Sequence, residues 1–206
     1  MRLIIIRLRG CAIGFLLLLG SLISSARDQT TALPSSTRTD PKIETRVNGL
    51  LQQTTLEEKV AIISGPDYMH TEGVPRLGIP ALKFSDGPFG VRCWGKSTAY
   101  PTDVVLTATW DRDAALAMGG SLGRDAHARG VNILLGPGMN IYREAQCGRN
   151  FEYLGEDPYL ASAMAVNYVR GLQAQGVAAC VKHYVCNEEE TERGSMNMIV
   201  SQRALQ

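Results

Sequence analysis

The sequence of 206 residues predicts an α/β fold on a parallel sheet, an incomplete TIM-type (β/α)8 barrel holding about the first three to four β/α units. Three observations predict it. Apolar runs end near Asp86, Gly136 and Val185 without polar alternation, as in strands covered on both faces. A helical stretch separates each run from the next. Long polar segments follow the strands, at the end where such barrels carry their active-site loops.

The elements follow from local signals. Lys42 to Gln53 is a short amphipathic helix. Thr55-Leu56-Glu57-Glu58 is a capping box opening a second helix ahead of Val60, Ile62 and Ile63. Ala81 to Ser85 reads as a strand, stopped by Asp86-Gly87-Pro88. Asp111 to Arg129 is helical, with Gly130 as its C-terminal stop. Val131 to Leu135 is the next strand, ended by Gly136-Pro137-Gly138. Asp157-Pro158 places a cap and then a proline at a first turn, and Gly176 closes that helix. Val177 to Val181 is a third buried strand, Met196 to Val200 offers a fourth, and Ser201 to Gln206 opens another helix. Eight units do not fit in this length, so residues 42–206 read as the N-terminal part of a barrel domain. An open half-barrel is expected to show an unpaired strand edge and an exposed apolar face.

Lys and Arg total 21 against 20 Asp and Glu, a net charge of +1 without a basic stripe, which excludes a nucleic-acid partner. Arg2, Arg7 and Arg9 precede an apolar run from Cys11 to Ile23, followed by Ser24-Ser25-Ala26. This is the layout of a secretory signal peptide over residues 1–26, and residues 27–41, rich in Ser, Thr and Pro, form a linker. The apolar run is short of the about 20 residues that span a bilayer. A secreted or periplasmic location without a stable membrane span is the expectation, an uncleaved anchor its alternative. Export permits disulfides among Cys93, Cys147, Cys180 and Cys186. Cys180 and Cys186 lie roughly 20 Å apart if extended, beyond disulfide reach. Cys93 and Cys147 are the one pair to entertain, against four free thiols. No Cys or His spacing marks a metal, and no cofactor is indicated.

Lys182 and His183 stand where the third strand leaves the core. A cation and an imidazole there are costly to desolvate and are either paired or used. A structural ion cluster with Glu190 and Arg193 is the alternative to a functional role. Asp86, in the tight turn Ser85-Asp86-Gly87-Pro88, and Arg149, in Cys147-Gly148-Arg149-Asn150-Phe151-Glu152, follow the other two strands. In a barrel, these groups converge on one face. A carboxylate acceptor among rigid donors suits the neighbouring hydroxyls of a sugar. Trp94, Trp110, Phe151 and Tyr153 offer faces for stacking, with core packing the alternative for each.

The Thr55-Leu56-Glu57-Glu58-Lys59 segment, the Asp86 turn, Gly148-Arg149-Asn150-Phe151-Glu152 and Lys182-His183 resemble glycoside hydrolase family 3 in order and spacing. The resemblance is to its β-glucosidase-like members, from about Leu50 to Gln206. It implies that Asp86 accepts hydrogen bonds from the terminal sugar, that Arg149, Lys182 and His183 bind the same ring, and that Arg193 supports the site. Asn187, Glu190 and Arg193 match the pattern after Lys-His. The activity implied is retaining hydrolysis of terminal β-D-glucosyl, or related β-glycosyl, residues by two carboxylates. The family nucleophile lies in a motif like Ser-Asp-Trp downstream of Lys-His, and its acid/base Glu further on; neither is found in this sequence. The chain is therefore expected to hold part of the sugar-binding pocket without the hydrolytic pair. Tyr184-Val185-Cys186-Asn187 after Lys-His disfavours the N-acetylglucosaminidase branch, while glucosidase, xylosidase and arabinosidase stay open. A non-catalytic carbohydrate-binding protein, or an inactive truncated product, is the alternative.

Overall fold

The computed structural model describes residues 40–205, which divide after Gln53 into two units. The expected signal peptide, and the linker as far as residue 39, lie outside the described residues. The first unit holds α1 (Pro41–Gln53), where the Asp40 carboxylate accepts from Lys42 N at 2.9 Å.

The second unit opens with α2 (Leu56–Ser64). Its capping box is formed: Glu58 N donates to Thr55 Oγ1 at 3.2 Å and Thr55 N to Glu58 Oε2 at 2.9 Å. Next come β1 (Phe84–Asp86), α3 (Asp103–Thr107), α4 (Arg112–Ala128), β2 (Ile133–Gly138), α5 (Pro158–Gln173), β3 (Ala178–Lys182) and α6 (Gln202–Leu205). The strands form one parallel sheet in the order β1-β2-β3. Caps set the long helices as the sequence predicts. Asp111 accepts from Asp113 N and Ala114 N, and Asp157 from Tyr159 N and Leu160 N. Gly130 and Gly176 follow α4 and α5 with φ of +66° and +77°, a region that favours glycine. The apolar core joins Leu122 and Met118 of α4, Met164, Tyr168 and Leu172 of α5, Leu134 of β2, and Val91 and Val177.

Four expectations need correction. β1 starts at Phe84: the chain ahead of it pairs with residues 69–71, where Thr71 N donates to Leu82 O and Phe84 N to Met69 O, while Lys83 O accepts from Asn132 N and Ile133 N. β2 runs on through Gly136-Pro137-Gly138, where a stop was expected. Its register shifts at Leu135/Gly136, and such a bulge tolerates a proline that cannot donate. β3 is not covered on both faces: Ala178, Cys180 and Val181 are exposed, and among the described residues no strand pairs with its outer edge. Met196 to Val200 is not a strand, since apolar pattern without a ladder partner does not make one. Its Met198 and Val200 instead line a groove of about 590 Å³ with Met139, Val181 and Leu205. α3 was not expected, and Cys93, Cys147, Cys180 and Cys186 are free.

α4 and α5 approach so closely that glycine is required at the crossing. A Cβ on Gly119 would overlap the Tyr168 carbonyl oxygen, and one on Gly171 the Leu116 carbonyl oxygen. Backbone cannot step aside as a flexible side chain can. Gly119→Ala and Gly171→Ala are each expected to destabilise the second unit by about 3 kcal/mol, read from denaturant midpoints. Gly49→Ala in α1, where an added Cβ meets nothing, should be neutral or gain up to about 1 kcal/mol.

Candidate functional site

The strand ends carry the chemistry. Asp86 ends β1, Lys182 ends β3 with His183 next, and Arg149 opens the turn Asn150–Glu152 after β2. The fold brings them to one cavity of about 520 Å³, lined by Asp86, Arg92, Arg149, Glu152, Lys182 and His183 with Leu135, Phe151 and Arg193. All five residues singled out in the sequence line it.

Their charges alternate along a continuous chain. Arg92 pairs with Asp86 Oδ2 at 2.8 Å, and Lys182 Nζ with Asp86 Oδ1 at 2.9 Å. Lys182 also reaches Glu152 Oε2 at 3.4 Å, and Arg149 Nε donates to Glu152 Oε1 at 2.6 Å. Arg149 continues to Glu190 at 3.0 Å, and Glu190 to Arg193 at 3.2 Å. Seven charges, from the ends of the three strands and the segments that follow them, so hold each other in place. Glu152 is buried, and a carboxylate out of water requires such partners.

Hydrogen bonds fix the His183 tautomer. Arg149 has only donors, so its NH2, 2.8 Å from His183 Nε2, makes that nitrogen the acceptor. Nδ1 then carries the proton and donates to Tyr153 Oη at 3.0 Å. Asn187 Nδ2 also donates to Tyr153 Oη, at 2.7 Å, and to Glu190 Oε1 at 2.7 Å. The His183 backbone N–H donates to Asn140 Oδ1 at 2.7 Å. Burial, and then the Arg149 and Lys182 charges, push the imidazole down to about 4, so it is neutral at neutral pH. Burial opposes the Arg149 charge, but Glu152 and Glu190 overcome it and hold the guanidinium above its ordinary value.

Donor and acceptor capacity remains for a ligand. Asp86 Oδ1 is filled by Lys182 and Gly87 N, whereas Oδ2 takes Arg92 alone and keeps a lone pair for a hydroxyl. Arg149 keeps two of its five N–H groups, and Arg193 is exposed with a single carboxylate partner. Both ring nitrogens of His183 are engaged, so it reaches a ligand only by exchanging one of these bonds.

Of the four aromatic candidates, Phe151 alone lines the cavity, edge-on to Phe89 with centroids 5.7 Å apart. Tyr153 is buried in the network. Trp94 packs on His70 and beneath Lys83, and Trp110 is exposed away from the cavity lining. Sequence reasoning missed Arg92, Glu152 and Asp103. Arg92 and Glu152 stand inside the quoted motifs, where their charges were the available signal. Asp103, fully buried in α3, carried none.

A parallel β/α scaffold with a charged cluster at the C-terminal strand ends has the layout of a TIM-barrel-type enzyme domain. Residues 41–206 match the glycosyl hydrolase family 3 N terminal domain, and the chain belongs to that family. It is 42% identical over 171 residues to thermostable β-glucosidase B of Acetivibrio thermocellus, covering 77% of this chain and 23% of that protein. It is 43% identical over 196 residues to β-glucosidase BoGH3A of Bacteroides ovatus, covering 89% and 26%. Among solved structures, β-glucosidase from Kluyveromyces marxianus in complex with glucose superposes with a TM-score of 0.73 at 41% identity, covering 77% of this chain and 20% of that one. β-Glucosidase 3B from Thermotoga neapolitana in complex with glucose gives 0.67 at 40%, covering 71% and 24%. The chain thus spans 23% and 26% of the length of the two curated relatives.

The neutral His183 has a consequence for stability. Its folded value lies below the ordinary 6.5, so the stability it contributes is present above pH 6.5 and lost as pH falls towards about 4. Thermal melts across this window should fall more steeply for the native chain than for His183→Asn, which cannot titrate. Parallel curves would show that His183 takes up its proton as readily in the folded chain as in the unfolded one, and would overturn the lowered value.

Proposed function

We propose that the cavity binds the terminal glucosyl residue of a β-glucoside, and that the protein containing this domain hydrolyses such glucosides with retention. The convergence of Asp86, Arg149, Lys182 and His183 from three successive strand ends on one cavity carries this reading. Similarity to β-glucosidases, two of them solved with glucose, supports the choice of sugar. A pyranose presents neighbouring hydroxyls that each donate and accept. Asp86 Oδ2 is a fixed acceptor, Lys182 and Arg149 are fixed donors, and Phe151 is an apolar wall against which the C–H face of the ring packs.

Asp86 is an orienting group in this reading and not the nucleophile, because Lys182 and Arg92 both occupy it. The hydrolytic carboxylates of a retaining mechanism come from outside the cluster. The 206 residues bind the sugar and leave aryl β-glucosides intact. Export through the N-terminal segment fits a protein that meets glucosides outside the cytoplasm.

Titration calorimetry with glucose tests the reading. A hydrogen bond from a charged group contributes roughly 1.5–3 kcal/mol, so Lys182→Ala should weaken glucose binding at least about tenfold. Asp86→Asn should weaken it similarly, since its amide repels one of the cations around it. Melting midpoints on the same preparations separate this from a structural ion cluster. A lowered midpoint with unchanged glucose affinity would remove the binding role.

A further inference from the structure

Two buried side-chain oxygens among the described residues have no hydrogen-bond partner: Asp103 Oδ1 and Glu152 Oε2. Asp103 is 0% exposed. Its Oδ2 accepts a single bond from Gly138 N at 3.3 Å, at the end of β2. An ionised carboxylate cannot be held without water by one long neutral hydrogen bond. A protonated one can, and its O–H then needs an acceptor. The groups facing it narrow the choice. Glu152 comes from the turn that packs on α3, and Lys182 from β3, while Tyr142 and the α5 residue Tyr168 also feel its charge. Lys182 has no acceptor to offer, and the Tyr142 and Tyr168 hydroxyls, which donate to the backbone oxygens of Asn150 and Pro88, are neutral and weaker acceptors than a carboxylate. Glu152 Oε2 is the acceptor left without a hydrogen bond.

We propose that Asp103 is a positioning residue: held as the neutral acid, it shares its proton with Glu152 Oε2, directly or through one buried water, and thereby fixes Glu152 between Arg149 and Lys182. The proposal rests on the sugar-binding reading only for its effect on affinity. Burial is the main reason that Asp103 is pushed up to about 8, with the Glu152 charge adding to it against the opposing Gly138 N–H and Lys182. Above that pH, Asp103 ionises, loses its donor and competes with Asp86 for Lys182. The folded value is raised, so the associated stability is present below pH 3.8 and declines as pH rises through about 8. The short α3 in this way ties the ligand-facing end of Lys182 to a proton in the core.

The test follows the Asp103 carboxyl carbon by NMR over pH in the full chain labelled with 13C-aspartate. Titration near 8 is expected, and titration in the ordinary carboxylate range would overturn the proposal. Glu152→Gln should lower the Asp103 midpoint, because it removes the negative partner; an unmoved midpoint would leave burial alone as the cause and refute the shared proton. Glucose affinity supplies the second readout. Asp103→Leu should weaken binding at least about tenfold at pH 6.5, whereas Asp103→Asn, which keeps a donor, should restore it to within about threefold and abolish the alkaline decline. Equal affinity in Leu and Asn variants, whether both weak or both native, would refute the role. A native chain that binds no glucose would sink the sugar-binding reading, while the carbon titration still decides the shared proton.

Discussion

The buried carboxylate of Glu152 is the constraint on which the site depends. It accepts from Arg149 at 2.6 Å and lies 3.4 Å from Lys182, so it sets where both cations can stand. Lys182 then meets Asp86, and Arg149 meets Glu190 and His183. Removing one member leaves a neighbour charged and desolvated, which costs more than a surface pair contributes. Lys182, with its side chain 11% exposed, is therefore a point where one set of pairings holds both the cluster and the wall of the cavity.

The scaffold delivers these groups by backbone approach. Gly136 lies under Pro88, where a Cβ would collide, and the Tyr168 hydroxyl donates to the Pro88 carbonyl oxygen. The turn that presents Asp86 is thus pinned from β2 and from α5. The bulge at Leu135/Gly136 places Gly138 opposite Lys182, and Met139 N donates to Lys182 O at 2.8 Å. The close α4–α5 crossing at Gly119 and Gly171 supports the same core from behind. Core packing and site geometry are linked through Tyr168, which serves both.

Charge balance gives the site its polarity. Four cations and three carboxylates alternate from Arg92 to Arg193, and the exposed members, Arg92 and Arg193, lie at the two ends. The interior members are fixed by mutual pairing, while the ends retain donors for a ligand. Rigid groups that already hold their geometry lose little on binding.

The sequence by itself determined the helix boundaries at Thr55, Asp111 and Asp157, because a cap acts within one turn of its own residue. It also determined the parallel β/α order and the five cavity residues, because strand ends and charged motifs are local in the chain. The extent of the strands was not local: β1 depends on residues 69–71, β2 on a bulge against Cys180, and Met196–Val200 had no ladder to join. Arg92 and Glu152 carried visible charges, but only tertiary structure decided that they pair with Asp86 and with Arg149 and Lys182. Asp103 is the extreme case. In the sequence it is one more polar residue after Pro101-Thr102; in the fold it is fully buried, and burial, which no local pattern announces, raises its carboxyl above the usual carboxylate range.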